Sequence, residues 1–306
     1  MWSARSASWI THTGLRMRFL VESPLRRRQS DSTDANAASG RSSSGRRHRI
    51  ASPFGALGYV LPPAFAIAVA VVIWEAWVRA AGVPVYIVPA PTVVIARLWG
   101  DFGFFVLHGG ITLAEALAGF ALGAAVAFTG ATLMAHSRFL ERTLLPIAIL
   151  VKVTPIVAVA PLFVIWFGFG SLPKVLIASL ITFFPVLVNA MVGLRAVNPG
   201  ALDFFRSLHA SRAETYFKLR LPSSLPYLFA AFRISIPLSV IGAVVGEWFS
   251  GDRGLGSVII VAHNNLDMPT LFSAILVLAF LGITLTIITA YIERKMLFWH
   301  DSTMAF

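Results

Sequence analysis

Residues 175–194, VLIASLITFFPVLVNAMVGL, contain no Asp, Glu, Lys or Arg. A helix needs about 20 apolar residues to cross a hydrocarbon core, so this stretch reads as one complete span. Residues 50–74, 116–137, 153–173 and 268–292 are equally free of formal charge, and the run from Ser223 to Gly246 is broken only by Arg233. The pattern predicts an all-α integral membrane protein with about six transmembrane helices. Composition agrees: 57% of the residues are hydrophobic, 13% are charged and the mean hydropathy is +0.77, which excludes an ordinary soluble domain. Prolines at 62, 63, 146, 155, 161 and 185 fall in or near these runs, and kinked helices are expected there.

Cytoplasmic loops retain Lys and Arg, which orients the chain. With the N-terminus inside, the cytoplasmic side holds ten arginines in residues 1–56, Arg138 and Arg142, five basic residues from Arg195 to Arg220, and Arg294 with Lys295. The other side holds Arg79, Arg97, Lys174 and Arg253, and both termini are expected in the cytoplasm. The net charge of +11 is mostly this topogenic charge, so no nucleic-acid partner is expected. Residues 1–50, rich in Ser and Arg, read as a disordered basic cytoplasmic tail, and residues 51–306 as the transmembrane domain. The start of the tail also has the look of a transit peptide, and its basic run suits contact with anionic lipid. One expectation is that translation begins at Met17, because nothing before it carries a structural signal. There are no cysteines to form disulfides or thiolate metal sites.

No catalytic constellation is visible. A phosphate-binding loop needs G-x-x-x-x-G-K-[ST], and the chain has no Gly-Lys pair. It also lacks H-E-x-x-H, G-x-S-x-G and any His or carboxylate set spaced for metal binding or acid/base work. No catalytic residue and no metal ligand is assigned, and any energy input has to come from another polypeptide.

The long cytoplasmic loop between the fourth and fifth spans, residues 195–222, has legible local physics. Asn198-Pro199-Gly200 is a turn, and Ala201 to Leu208 makes a short helix with Asp203 near its positive end and Phe204 and Leu208 on one face. A break is predicted at His209-Ala210. Ser211 and Glu214 then form a capping box opening a second short helix, which is expected to stop at Leu221-Pro222. The exposed aromatic and leucine side chains call for a cytoplasmic partner rather than a plain connection.

This loop resembles the EAA loop of bacterial ABC importer permeases. Asp203 stands at the Glu position, Phe204 and Phe205 replace two alanines, His209 replaces the glycine, and Leu219-Arg220-Leu221-Pro222 keeps the ending. Phrases in order along the chain resemble the nitrate/sulfonate/taurine-type branch. They are Trp74-Glu75-Ala76-Trp77, Val88-Pro89-Ala90-Pro91, the run from Pro161 to Gly168, Phe184-Pro185-Val186, Leu225-Pro226-Tyr227, Gly246-Glu247-Trp248, Gly254-Leu255-Gly256 and Glu293-Arg294. The resemblance implies a multi-pass permease subunit of the bacterial inner membrane that is not itself an enzyme. It implies two permease copies, an ATPase that binds ATP and Mg, and an extracytoplasmic solute-binding protein; this chain itself is expected to bind no cofactor. On that reading, Asp203, Phe204, Phe205, Ser207, Leu208, His209, Ala210, Ser211, Glu214, Phe217, Leu221 and Pro222 form the ATPase-docking loop. His209 is either a tolerated linker, since His visits left-handed backbone at moderate cost, or a pH switch.

Polar groups inside spans are candidates for a solute path, because burying a charge in a bilayer is costly. Lys152, Trp166, Asn189, Arg233 and Glu247 are taken as that path, with Glu115 a further charged group of the same kind. Lys152 either attracts an anionic solute or snorkels and pairs with a neighbouring carboxylate. Glu75 and Arg79 read as a structural i, i+4 pair. Gly119-x-x-x-Gly123 and Gly242-x-x-x-Gly246 allow close helix approach, within the chain or between copies. The expected function is alternating-access import of a small anionic or heteroaromatic solute, driven by a separate ATPase. The rival is an ATP-independent secondary transporter or channel of similar topology.

Overall fold

The computed structural model describes residues 53–298, with side chains from Leu61 onward. The tail of residues 1–50 and the Met17 start lie outside the described residues. Among the described residues every regular element is helical: α1 (Pro53–Ala80), α2 (Pro91–Gly100), α3 (Phe102–His136), α4 (Arg138–Val153), α5 (Ile156–Phe167), α6 (Ser171–Arg195), α7 (Pro199–Ser207), α8 (Arg212–Thr215), α9 (Leu221–Ser250), α10 (Leu255–Asn264) and α11 (Met268–Met296). Five stretches are long and apolar enough to cross a membrane: α1, α3, α6, α11 and the continuous run Arg212–Ser250 that contains α9. The pair α4 and α5, bent by 99°, makes a sixth if it is counted as one broken span.

The structure corrects two sequence expectations, both at prolines. Residues 153–173 are not one span. Thr154, the residue before Pro155, is pushed to extended backbone with ψ 125°, and α4 and α5 meet there at 99°. Gly168 and Gly170, at φ 78° and 127°, then end α5 before α6 begins. Nor does the chain stop at Leu221-Pro222. Residues Tyr216–Arg220 form a π turn in which the Leu221 N–H bonds to the Tyr216 carbonyl, and helix continues into α9. In a regular α-helical turn the Pro222 ring would crowd the Lys218 carbonyl, and the wider turn just before it gives the ring room.

The packing centre is α6, held between α3 and α9. Gly119 and Gly123 of α3 lie so close to Ala178, Ser179 and Thr182 that a Cβ on Gly123 would sit 2.3 Å from the Thr182 hydroxyl. Gly242 and Gly246 of α9 press on the other side, where added Cβ atoms would meet the Cα atoms of Ala178 at 2.6 Å and Lys174 at 2.7 Å. Both small-residue motifs therefore serve contacts within the chain. Large side chains close the interfaces further along, with Leu187, Leu194, Met134 and Leu228 in the largest apolar cluster.

The helix α1 sits at the edge, joined to the rest through its outer end. Trp74 packs against Phe272 at 5.7 Å between ring centroids. The Glu75 carboxylate accepts from Arg79 at 2.5 Å and from the Thr92 backbone N–H at 3.0 Å, so the expected i, i+4 pair also fixes the start of α2.

Candidate functional site

The loop between α6 and α9 is exposed at its tip and braced at its root. At the root, both Arg195 terminal nitrogens donate to the Glu141 carboxylate at 2.7 Å, and one also donates to the Met134 carbonyl at 3.0 Å. These bonds tie the ends of α3 and α6 to the start of α4. Asn198 then caps α7, its side-chain oxygen accepting from the Gly200 N–H at 2.8 Å, with Pro199 in the first turn where a missing N–H costs nothing. Asp203 pairs with Arg206 at 2.9 Å on the exposed surface. The Ser207 hydroxyl donates to the Phe204 carbonyl at 2.8 Å.

The turn between α7 and α8 falls where the sequence places it. His209 has φ 53°, and the Ala210 N–H returns to the Phe205 carbonyl at 3.1 Å. The capping box follows, with the Glu214 N–H donating to the Ser211 hydroxyl at 3.2 Å and the Ser211 N–H to the Glu214 carboxylate at 3.0 Å. Thr132 and Tyr216 share a hydrogen bond of 3.0 Å that anchors this half of the loop to α3. Phe204, Leu208 and Phe217 stand 60%, 61% and 64% exposed on this fixed backbone, while Phe205, Ala210, Leu221 and Pro222 are half-buried.

The structure does not bring the five candidate path residues into one site. Lys152 lies near the end of α4 with its ammonium 4.5 Å from the centroid of the Phe184 ring. Trp166 is exposed on α5, its ring tilted by 51° against Phe163 at 6.1 Å between centroids. Asn189 is half-buried, its amide nitrogen donating to the Pro185 carbonyl of its own helix at 2.8 Å. Arg233 joins α9 to α11 through the Glu293 carboxylate, at 2.5 Å and 3.1 Å. Glu247 lies fourteen residues further along α9, roughly 21 Å away, and is fully buried. An apolar cavity of about 570 Å³ opens between α3, α4 and α6, lined in part by Val126, Val151, Phe183 and Leu187. Lys152 and Phe184 are the chain neighbours of two of those lining residues.

Glu247 belongs to a buried polar cluster at the end of the bundle opposite the loop. Its carboxylate accepts from the Thr112 hydroxyl at 2.7 Å and the Gly256 N–H at 2.5 Å. Beside it, Lys174, 1% exposed, bonds to Glu115 at 3.1 Å, to Asp252 at 2.7 Å and to the Arg253 carbonyl at 3.0 Å. Burial pushes the Asp252 carboxyl up, but the hydrogen bond and charge of the Lys174 ammonium, together with backbone N–H donors, outweigh this and hold it below the ordinary carboxylate range. The stability it contributes is present above the unfolded-chain value and is lost only as pH falls through the depressed one. Sequence reading counted Lys174 as a loop charge and missed Thr112 and Asp252. The available signal was the pairing of Glu115 and Lys174, each bordering a charge-free run that α3 or α6 continues past.

Comparison with known proteins places this architecture. Residues 119–298 match the model of the binding-protein-dependent transport system inner membrane component family. The riboflavin transport system permease protein RibX of Chloroflexus aurantiacus is 36% identical over 76% of this chain and 87% of its own length. The formylaminopyrimidine transport permease protein ThiX of Halalkalibacterium halodurans is 34% identical over 73% of this chain and 89% of its own. Permease proteins named for aliphatic sulfonates, taurine and nitrate are relatives too. A chain of the inward-facing MetNI methionine ABC transporter superposes with a TM-score of 0.58 at 17% identity, over 64% of this chain and 97% of that one, a likeness of fold. The chain belongs to the binding-protein-dependent transport system inner membrane component family, as a multi-pass ABC importer permease whose ATPase and solute-binding protein are separate subunits.

Proposed function

We propose that the permease imports a small heteroaromatic or anionic solute by alternating access, with residues 203–217 passing the ATPase motion to the helix bundle. The observation that carries the reading is the set of exposed side chains Phe204, Leu208 and Phe217 on a loop whose root is fixed by Arg195 and Glu141. An apolar tip on a rigid base both seats in a partner and transmits its movement. ATP and Mg are bound by that ATPase, two copies of this chain pair around the path, and membrane lipid surrounds them. The names of the relatives supply the solute class. Replacing Leu208–Ser211 with an unrelated polar segment is expected to abolish both co-purification of the ATPase and uptake, with the permease still folded in the membrane. Uptake that persists without ATP would defeat the reading in favour of a secondary transporter.

Lys152 is the group proposed to meet the solute, because it is a cation on an otherwise apolar stretch of α4 with its ammonium 4.5 Å from the centroid of the Phe184 ring. A cation next to an aromatic face suits a solute that carries a ring or a negative charge. Lys152→Ala is expected to raise the KM for uptake at unchanged expression, and an unaltered uptake curve removes it from the path.

A further inference from the structure

We infer that the cavity between the start of α4 and the end of α6 binds the phosphate headgroup of an anionic phospholipid of the inner leaflet. The cavity measures about 1020 Å³ and includes Arg138, Arg142, Arg195 and Arg220 in its lining, with Glu141 as the single carboxylate there. Glu141 is already engaged on both oxygens by Arg195. Four guanidinium groups against one carboxylate leave three positive charges unneutralised in one concave site. Guanidinium groups suit phosphate oxygens, which their planar fork meets two at a time.

The remainder of the lining selects a lipid over a soluble anion. Arg138, Arg142, Leu145 and Ile149 succeed one another at i, i+4, i+7 and i+11, so one face of α4 changes from charged to apolar along its length. Neighbouring faces of the same helix leave Ile147, Leu150 and Val153 57%, 68% and 69% exposed. A charged pocket opening onto an apolar ridge matches an amphiphile with its phosphate at the arginines and its chains along α4. The charge bias places this end at the cytoplasmic interface, where headgroups lie. Val197 and Leu202 also line the cavity, so its occupant touches the root of the docking loop. An acidic segment of the ATPase would satisfy the arginines but would leave the ridge on α4 uncovered.

The test is native mass spectrometry of the intact permease–ATPase complex in neutral detergent, given equal amounts of phosphatidylglycerol and phosphatidylcholine. Phosphatidylglycerol is expected to be retained preferentially. The double variant Arg138→Gln with Arg142→Gln is expected to lower its retention roughly 25-fold, about fivefold per cation removed. Phosphatidylcholine retention is expected not to change. The double variant with lysines at both positions is expected to hold most of the preference, which separates charge from misfolding, and Arg79→Gln at the opposite end is expected to have no effect. If the glutamine pair fails to fold, Arg220→Gln alone is expected to give the fivefold loss. Equal retention of the two lipids, or no response to any of these variants, overturns the inference. Displacement of the lipid by millimolar inorganic phosphate would make this a free-anion site. Retention by the isolated permease but not by the complex would assign the pocket to the ATPase interface.

Discussion

The two ends of the α3–α6–α9 core are built in opposite ways. At one end Lys174, Glu115, Glu247 and Thr112 are buried within a few ångströms of one another, linked by ion pairs and backbone donors. At the other, a braced loop holds Phe204, Leu208 and Phe217 out to solvent. Charge is hidden where the chain is closed, and apolar surface is shown where docking is proposed. The difference teaches that neither burial nor polarity alone marks function in this protein. The buried charges bind the core to itself, and the exposed apolar side chains are the surface proposed to meet a partner.

Removing the cation from the closed end is the most severe way to break this contrast. Lys174→Met leaves Glu115 and Asp252 without their shared partner, and breaking a buried pair from one side costs about 3–5 kcal/mol. Thermal unfolding in detergent is expected to show that loss, with part of it restored by adding Glu115→Gln, which removes the stranded charge. A single variant that melts with the parent would mean the cluster does not hold the core together.

A smaller effect sharpens the same point at the helix seam. Gly246→Ala places a methyl 2.7 Å from the Lys174 Cα, and overpacking of this kind costs about 1–3 kcal/mol. The backbone of α6 cannot retreat from α9 without approaching α3, which presses on it from the other side. Gly110→Ala, in α3 with nothing within 4 Å of its added Cβ, is the matched control. It is expected to stabilise the fold by about 0.5–1 kcal/mol through helix propensity. Equal shifts from the two variants, read by the same melts, would remove close approach as the reason for the glycine.

These positions also show how far the sequence could be read. Runs without charge located four of the spans, and the run broken only by Arg233 a fifth, because hydrocarbon tolerates no unpaired charge and the run length matches the bilayer. Their ends were read short wherever a charge was paired inside the protein. The helix α3 starts at Phe102 rather than 116 because Glu115 meets Lys174, and α9 runs to Ser250 because Glu247 is capped by Thr112 and Gly256. Glu115 and Lys174, like Thr112 and Glu247, are more than 50 residues apart in sequence, and no local pattern announces such partners. The loop between α6 and α9 was legible because its determinants are local: the Asn198 cap, the Ser211–Glu214 box and the turn at His209 each act within five residues. Pro222 misled for the opposite reason. Its rule is local, but the π turn that accommodates it depends on the five residues before it.

The gentlest test falls on the exposed end, at the one residue there whose backbone is strained. His209 holds φ 53°, a region that costs an ordinary side chain about 1–2 kcal/mol and glycine almost nothing. His209→Gly removes that cost but adds about 0.5–1 kcal/mol of unfolded-chain entropy, so a net gain of less than about 1 kcal/mol is expected. His209→Val, branched at Cβ, is expected to lose about 1–2 kcal/mol. The glycine also stands at this position in the loop pattern this chain resembles, so uptake by His209→Gly is expected to match the parent at every pH. A pH profile that flattens in the glycine variant would turn the imidazole from a linker into a sensor.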